Sequence, residues 1–259
     1  MAWELVVVPL AAFLASGLTL FSGFGLGTLL MPVIALFVPL DLAIAMTAVV
    51  HLLNNVFKGG LLGRHADRAV LVRFGVPAVL AALVGAALLG RLSAADPLAV
   101  YAIAGKSFEI TRLGVVVGLV VLAFVGLELS PRFGALALSS RWLPLGGVVS
   151  GFFGGLSGHQ GAFRSLFLLK AGLDKQAFVA TSVLVAVAVD LARTAIYGLR
   201  FMERRDTLDW SLVALASLAA FAGAYLGARF LEKITIGAIR TIVSTMLVAI
   251  GIGLIAGWV

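Results

Sequence analysis

Apolar residues fill the chain in long blocks, separated by short polar connections. Six blocks have the length of one membrane-spanning helix, for which about 20 apolar residues suffice. They cover 41–62, 70–90, 112–128, 175–198, 209–230 and 235–258. Two further blocks, 5–37 and 143–171, are too long for a single perpendicular helix. Each is interrupted by glycine, at SGFGLG (22–27) and at GGLSGHQG (154–161). An arm from 143 to 156 would measure about 21 Å at the helical rise. That is short of a hydrocarbon core of about 30 Å. The pattern therefore predicts two helical hairpins, each entering and leaving by one face, in preference to one long, tilted, broken helix.

The polar positions carry a second pattern. A shift of 135 residues places Ser22-Gly23 on Ser157-Gly158, Thr47 on Ser182, Asn55 on Asp190, Lys58 on Arg193 and Gly63 on Gly198. At a slightly larger shift GAALLG (85–90) resembles GAYLG (223–227). The chain divides on this reading into a first repeat, 1–130, and a second, 142–259, within a single membrane domain. Each repeat is a broken hairpin followed by three crossings. An odd number of crossings inverts the second repeat against the first, an architecture that secondary transporters use around a midplane site. The expected fold is thus an all-α polytopic membrane protein of two pseudo-symmetric, inverted repeats. Lys and Arg are richer in loops 63–73, 129–141, 170–175 and 229–240, which share a face in this topology and are expected on the cytoplasmic side.

Composition narrows the class. Hydrophobic residues make up 62% of the 259 and charged residues 12%, about half the share usual in soluble domains. No polar stretch is long enough for a soluble catalytic domain. The net charge of +7 comes from Lys and Arg mostly in short connections, the normal use of cations as topology signals, so no nucleic-acid partner is expected. The absence of cysteine excludes thiol catalysis and thiolate metal sites. The start, MAWELVVVPLAAFLASG, lacks a basic n-region and is expected to be a retained membrane segment. Residues 98–111 alternate around Gly105-Lys106 and predict a short surface hairpin. Gly105-Lys106-Ser107 is no P-loop, because position 100 is Val where that pattern needs Gly.

Several polar groups lie where lipid would be expected. In MTAVVHLLNNVFKGG, Thr47, His51, Asn54, Asn55 and Lys58 share one helical face. Amides and a cation at that depth are costly unless they face a cavity or a partner. An anion pathway would use them as donors in place of lost hydration; the alternative is that Lys58 reaches the interface and the asparagines bond neighbouring helices. The matching helix carries Asp190 and Arg193, three residues apart. Asp190 could pair with Arg193 or, across the repeats, with Lys58. His51, Asp190 and Arg193 are the candidates for proton coupling or gating.

The glycine breaks make the strongest physical argument. A helix starting after a break presents unpaired N–H groups and the positive end of its dipole, which bind anions. Ser22, Gly23, Gly25 and Thr28 would form one lip of such a site, and Ser157, Gly158, His159, Gln160 and Arg164 the other. Tight helix packing through glycine is the plainer use of the same residues. His51, His65 and His159 show no ligand spacing, so no metal and no other cofactor is expected.

FSGFGLGTLLMPV, TAVVHLLNNVFK and GGLSGHQGAFRSLFLLKAGLDKQAFVATS together resemble the sulfite exporter TauE/SafE family of membrane carriers. The likeness covers nearly the whole chain, including the duplication and the AIAGKSFEIT hairpin. It implies transport, usually export, of sulfite, sulfoacetate or related sulfonates, with Ser22, Gly23, Ser157 and Gly158 in the substrate-binding breaks. Many relatives carry small residues after the second Ser-Gly, whereas this chain has His159, Gln160 and Arg164. The expected protein is an inner-membrane secondary carrier of a small oxyanion, with a proton as any coupling ion, the bilayer as its surroundings and homodimerisation open. A passive anion channel is the runner-up; an intramembrane enzyme lacks a nucleophile, base and acid set.

Overall fold

The computed structural model describes residues 3–18, 25–130, 138–169, 171–201, 209–230 and 236–259. Ten α-helices lie in these segments. The first long block forms α1 (Glu4–Leu18) and α2 (Leu26–Ile34), followed by α3 (Leu40–Leu62) and α4 (Arg68–Ser93). Strands β1 (Ala99–Ile103) and β2 (Lys106–Ile110) form the mid-chain hairpin, turning through Ala104 and Gly105 at positive φ. Then come α5 (Arg112–Leu129), α6 (Leu143–Ser157), α7 (Gly161–Leu168), α8 (Lys175–Phe201), α9 (Trp210–Phe230) and α10 (Ile236–Ala256). The protein is a helical membrane protein. Among the described residues, the stretches long and apolar enough to cross a bilayer are Leu40–His65, Arg68–Ser93 and Lys175–Leu199. The apolar parts of α1, α5, α9 and α10 are shorter.

Polar side chains set several helix starts. Asp67 accepts from the Val70 amide at α4, and Thr111 from the Gly114 amide at α5. At α9 the Ser211 hydroxyl and the Leu212 amide donate to Asp209, and this holds its exposed carboxyl below the usual carboxylate range. Each cap satisfies an N–H that the helix itself leaves unpaired. Thr111→Ala is expected to lower stability by about 1 kcal/mol, read as a lower unfolding temperature in detergent.

Glycine decides how the long helices meet. Gly147, Gly151 and Gly155 of α6 lie against the backbone at Phe74, Ala78 and Ala82 of α4, with no room for a Cβ at any of them. The residue numbers rise together, so α4 and α6 run parallel. Gly85 of α4 in turn lies on the Phe152 carbonyl of α6, and Gly223 of α9 lies in the same way on the Phe13 carbonyl of α1. In a membrane, small residues at such crossings drive association by letting backbones approach. Gly114 and Gly118 of α5 pack against Leu254 and Gly251 of α10, antiparallel.

The second broken block folds back on itself. Gly146, near the start of α6, lies under the ring of Phe167, near the end of α7. Midway along, the Ser150 hydroxyl donates to the Gln160 carbonyl at 2.9 Å. The two arms are therefore side by side and antiparallel, with their turn at Gly158. Around the α3–α8 pair the apolar core divides into a larger cluster from α1 to α5, α9 and α10, and a smaller one joining α4, α6, α7 and α8.

Candidate functional site

The turn between α6 and α7 needs glycine. Gly158 has φ +84° and closes α6 by donating its amide to the Gly154 carbonyl at 3.0 Å. A side chain there would be strained, and its Cβ would stand 2.9 Å from Nη1 of Arg193. Helix α7 starts at Gly161 and α2 at Leu26, and neither has a side-chain cap. These two starts meet. A Cβ on Gly25 would lie 3.9 Å from the amide nitrogen of Gly161, and one on Gly27 would lie 3.3 Å from the Gly158 carbonyl. Thr47 of α3 borders the same junction, with its methyl group 3.8 Å from that Gly27 position. Ser22 and Gly23 fall outside the described residues.

Beside this junction a polar cluster surrounds Asp190, which is 0% exposed. His51 Nδ1 lies 2.5 Å from Asp190 Oδ2, and Asn55 Nδ2 donates to the same oxygen at 3.3 Å. On Oδ1, Gln160 Nε2 donates at 3.1 Å and Arg193 Nε at 2.9 Å, with Arg193 Nη2 at 2.8 Å. The carboxylate thus ties α3 and α8 to the residue that opens α7. Of the two pairings open for Asp190, the structure forms the one with Arg193. Lys58 is buried, and no carboxylate among the described residues pairs with it. Arg164, half-buried, donates Nη1 to Gln160 Oε1 at 3.0 Å.

The charges do not balance. Arg193 bonds Asp190, Arg164 reaches it through Gln160, and Lys58 is a third cation within electrostatic reach of Arg164, while Asp190 is the one carboxylate in this cluster among the described residues. In a low-dielectric interior such an excess needs an anion nearby. Several buried donors also lack partners among the described residues, including Asn54 Nδ2, His159 Nε2 and Arg164 Nε. The Asn54 Oδ1 accepts from Ser16 at 3.2 Å, and His159 Nδ1 meets the Ser157 hydroxyl at 3.0 Å. The hydroxyls of Thr47 and Ser182, residues that the 135-residue shift superimposes, are both buried without a partner among the described residues. Asn55 and Asp190, superimposed by the same shift, touch each other.

Sequence reasoning gave no role in the site to three parts of this region. Tyr197, one turn beyond Arg193, bonds the Gly155 carbonyl through its hydroxyl. Its i+4 spacing from Arg193 was the available signal. Ser16 and Ser150, single hydroxyls in apolar helices, gave none. Phe124, Phe153 and Phe163 form a ring cluster against His159, with the Phe124 and His159 centroids 5.2 Å apart. Phe153 and Phe163 flank the break in sequence, but Phe124 comes from α5.

The described residues thus form a helical membrane protein in which the starts of α2 and α7 meet beside a buried cluster rich in cations. The chain is a member of the sulfite exporter TauE/SafE family, whose profile matches residues 8–254. That family consists of transporters. No curated protein and no solved structure matches the chain.

Proposed function

We propose that the protein is a secondary carrier in the inner membrane that exports a small oxyanion, sulfite or an organosulfonate, by alternating access. The observation that carries this reading is the convergence of the uncapped starts of α2 and α7 beside an unbalanced set of cations. The anion binds at this junction. Backbone N–H groups of both helices, Asn54, His159 and Arg164 supply donors, and Lys58 supplies charge. Gly25 completes one lip, and Ser157, Gly158 and Gln160 the other. Asp190, with His51, Asn55 and Arg193, holds the two long helices together and takes the coupling proton.

The two-repeat reading, 1–130 and 142–259 in inverted orientation, is supported by the packing. Gly85 on Phe152 and Gly223 on Phe13 are one contact written twice with the halves exchanged. Exchange also maps the α3–α8 and α5–α10 pairs onto themselves. Rocking one set of helices against the other about the junction would expose the site to each face in turn.

Double replacement of His159 and Gln160 by Ala is expected to reduce sulfite flux in proteoliposomes at least about tenfold, because it removes one donor to a charged ligand and the amide that links Arg164 to Asp190. The protein should remain monodisperse. Wild-type flux in that variant would remove both residues from the site. Sulfite, sulfonates and sulfate should raise the unfolding temperature of the purified protein, as ligands of the folded state do. Carboxylates of similar size test selectivity, and counterflow across loaded vesicles separates a carrier from a channel.

A further inference from the structure

A cavity of about 600 Å³ lies at the end of the molecule where α3 and α5 begin and α4 and α8 finish. Asp41, Leu89, Ser93, Thr111, Tyr197 and Leu199 are among its lining residues. Three observations give it a role. First, its rim is built from helix termini and polar groups: Thr111 caps α5, and Ser93 donates to Asp41 at 2.8 Å, joining α4 to α3. Helix ends of this kind lie at the aqueous boundary of a membrane protein, because their unpaired backbone groups need water or a cap.

Second, the cavity lies beyond the tip of the second hairpin. Helix α6 runs parallel to α4 and its last turn lies beside Ala82 and Gly85. From Gly85 to the end of α4 at Ser93, about 12 Å of helix remain. The cavity is lined by the last part of this stretch, from Leu89 to Ser93, about 6 Å of helix.

Third, its floor is a side chain bonded to the break. Tyr197 lines the cavity yet is 2% exposed, and its hydroxyl donates to the Gly155 carbonyl, one turn before Gly158. On the far side Arg193, one turn back along α8, reaches Asp190 and stands against Gly158. The order from the rim inward is therefore open cavity, Tyr197, Arg193, anion junction.

We infer that this cavity is the aqueous antechamber of the anion pathway and that Tyr197 is the gate between it and the junction of the breaks. This rests on the carrier reading. With the hydroxyl on Gly155 the ring closes the passage. Release of that one bond, by a small shift of α6 against α8, lets the ring swing and joins the cavity to the site. The pinned carbonyl belongs to the hairpin that holds half of the anion site, so gate and site move together.

The chain contains no cysteine, so single cysteines can be read without a background. Leu89→Cys and, as a second variant, Ser93→Cys are treated in proteoliposomes with a negatively charged, membrane-impermeant thiosulfonate. The comparison is Leu80→Cys, on the outer face of the same helix. Leu80 is 61% exposed and Leu89 only 2%. If the cavity is aqueous, the buried position labels and the exposed, lipid-facing one does not. The gate is read from Thr47→Cys at the junction. Its labelling rate is expected to rise about tenfold when Tyr197→Phe is added, the factor for one hydrogen bond of ordinary net strength. Tyr197→Ala should raise it further; if that variant does not fold, the Phe variant decides. An unchanged Thr47→Cys rate in the Phe variant, or no labelling at Leu89→Cys and Ser93→Cys, overturns the inference. No anion is needed for any of these readings. Failure here with an anion-dependent thermal shift intact would reject the gate and leave the carrier reading standing; the converse would reject the carrier reading.

Discussion

Asp190→Asn is expected to abolish transport and to cost about 3–5 kcal/mol of stability, the usual penalty for removing one partner of a buried ion pair. Asparagine keeps the size of the side chain and can still accept from Gln160 and Arg193. It cannot balance them. Arg193 would remain fully buried, with Arg164 linked to residue 190 through Gln160 and no other carboxylate among the described residues paired with Arg193. The link from His51 across to α8, now 2.5 Å long, would also weaken. Unfolding in detergent, followed by tryptophan fluorescence or by loss of the monodisperse peak, measures the stability term. A double-mutant cycle with Arg193→Leu isolates the ion pair: removing both charges should recover a large part of what the single change loses. Wild-type stability and flux in Asp190→Asn would refute the structural and the coupling role together.

Gly151→Leu is expected to prevent assembly of the native bundle. Gly151 sits against the α4 backbone at Ala78, and Gly147 and Gly155 make the same contact a turn away on either side. A leucine would force the helices apart by several ångströms, and three successive glycine contacts would open at once. Overpacking a tight interface by even a few methylenes costs about 1–3 kcal/mol, and here the obstruction is backbone that cannot rotate aside. The displaced α6 would carry Gly155 from Tyr197 and Gly158 from Arg193. The expected outcome is loss of monodisperse protein in detergent. The control is Gly60→Ala on α3, where a Cβ meets nothing within 4 Å. That change should be neutral or stabilise by about 0.5–1 kcal/mol, because alanine loses less backbone entropy in a helix. If both variants behaved alike, α4 and α6 would not be held by their glycines.

Much of the helical layout was legible in the order of residues. Helix length and the 3.6-residue period are local properties, so the block expected over 70–90 differs from Arg68–Ser93 only by frayed ends. The interruption at 154–161 was legible because glycine has few other reasons to cluster in an apolar helix. Gly158 indeed takes a backbone conformation that other residues avoid. The stripe of His51, Asn54, Asn55 and Lys58 followed from spacing alone, and all four are buried.

What the sequence by itself determined was therefore the class of protein, the places where its helices break, and which faces carry polar groups. Hydropathy, periodicity and backbone sterics act within a few residues and need no knowledge of neighbours. Only the tertiary structure decided the pairings. Asp190 takes His51, 139 positions away, and Gln160, 30 positions away, as well as the nearby Arg193. Lys58, chemically as good a partner, receives no carboxylate among the described residues, because depth and rotation across the α3–α8 crossing select who meets whom. The same holds for Phe124 against His159 and for Tyr197 on Gly155. Each contact joins helices whose approach is set by glycines elsewhere in the chain, and no local pattern records that distance.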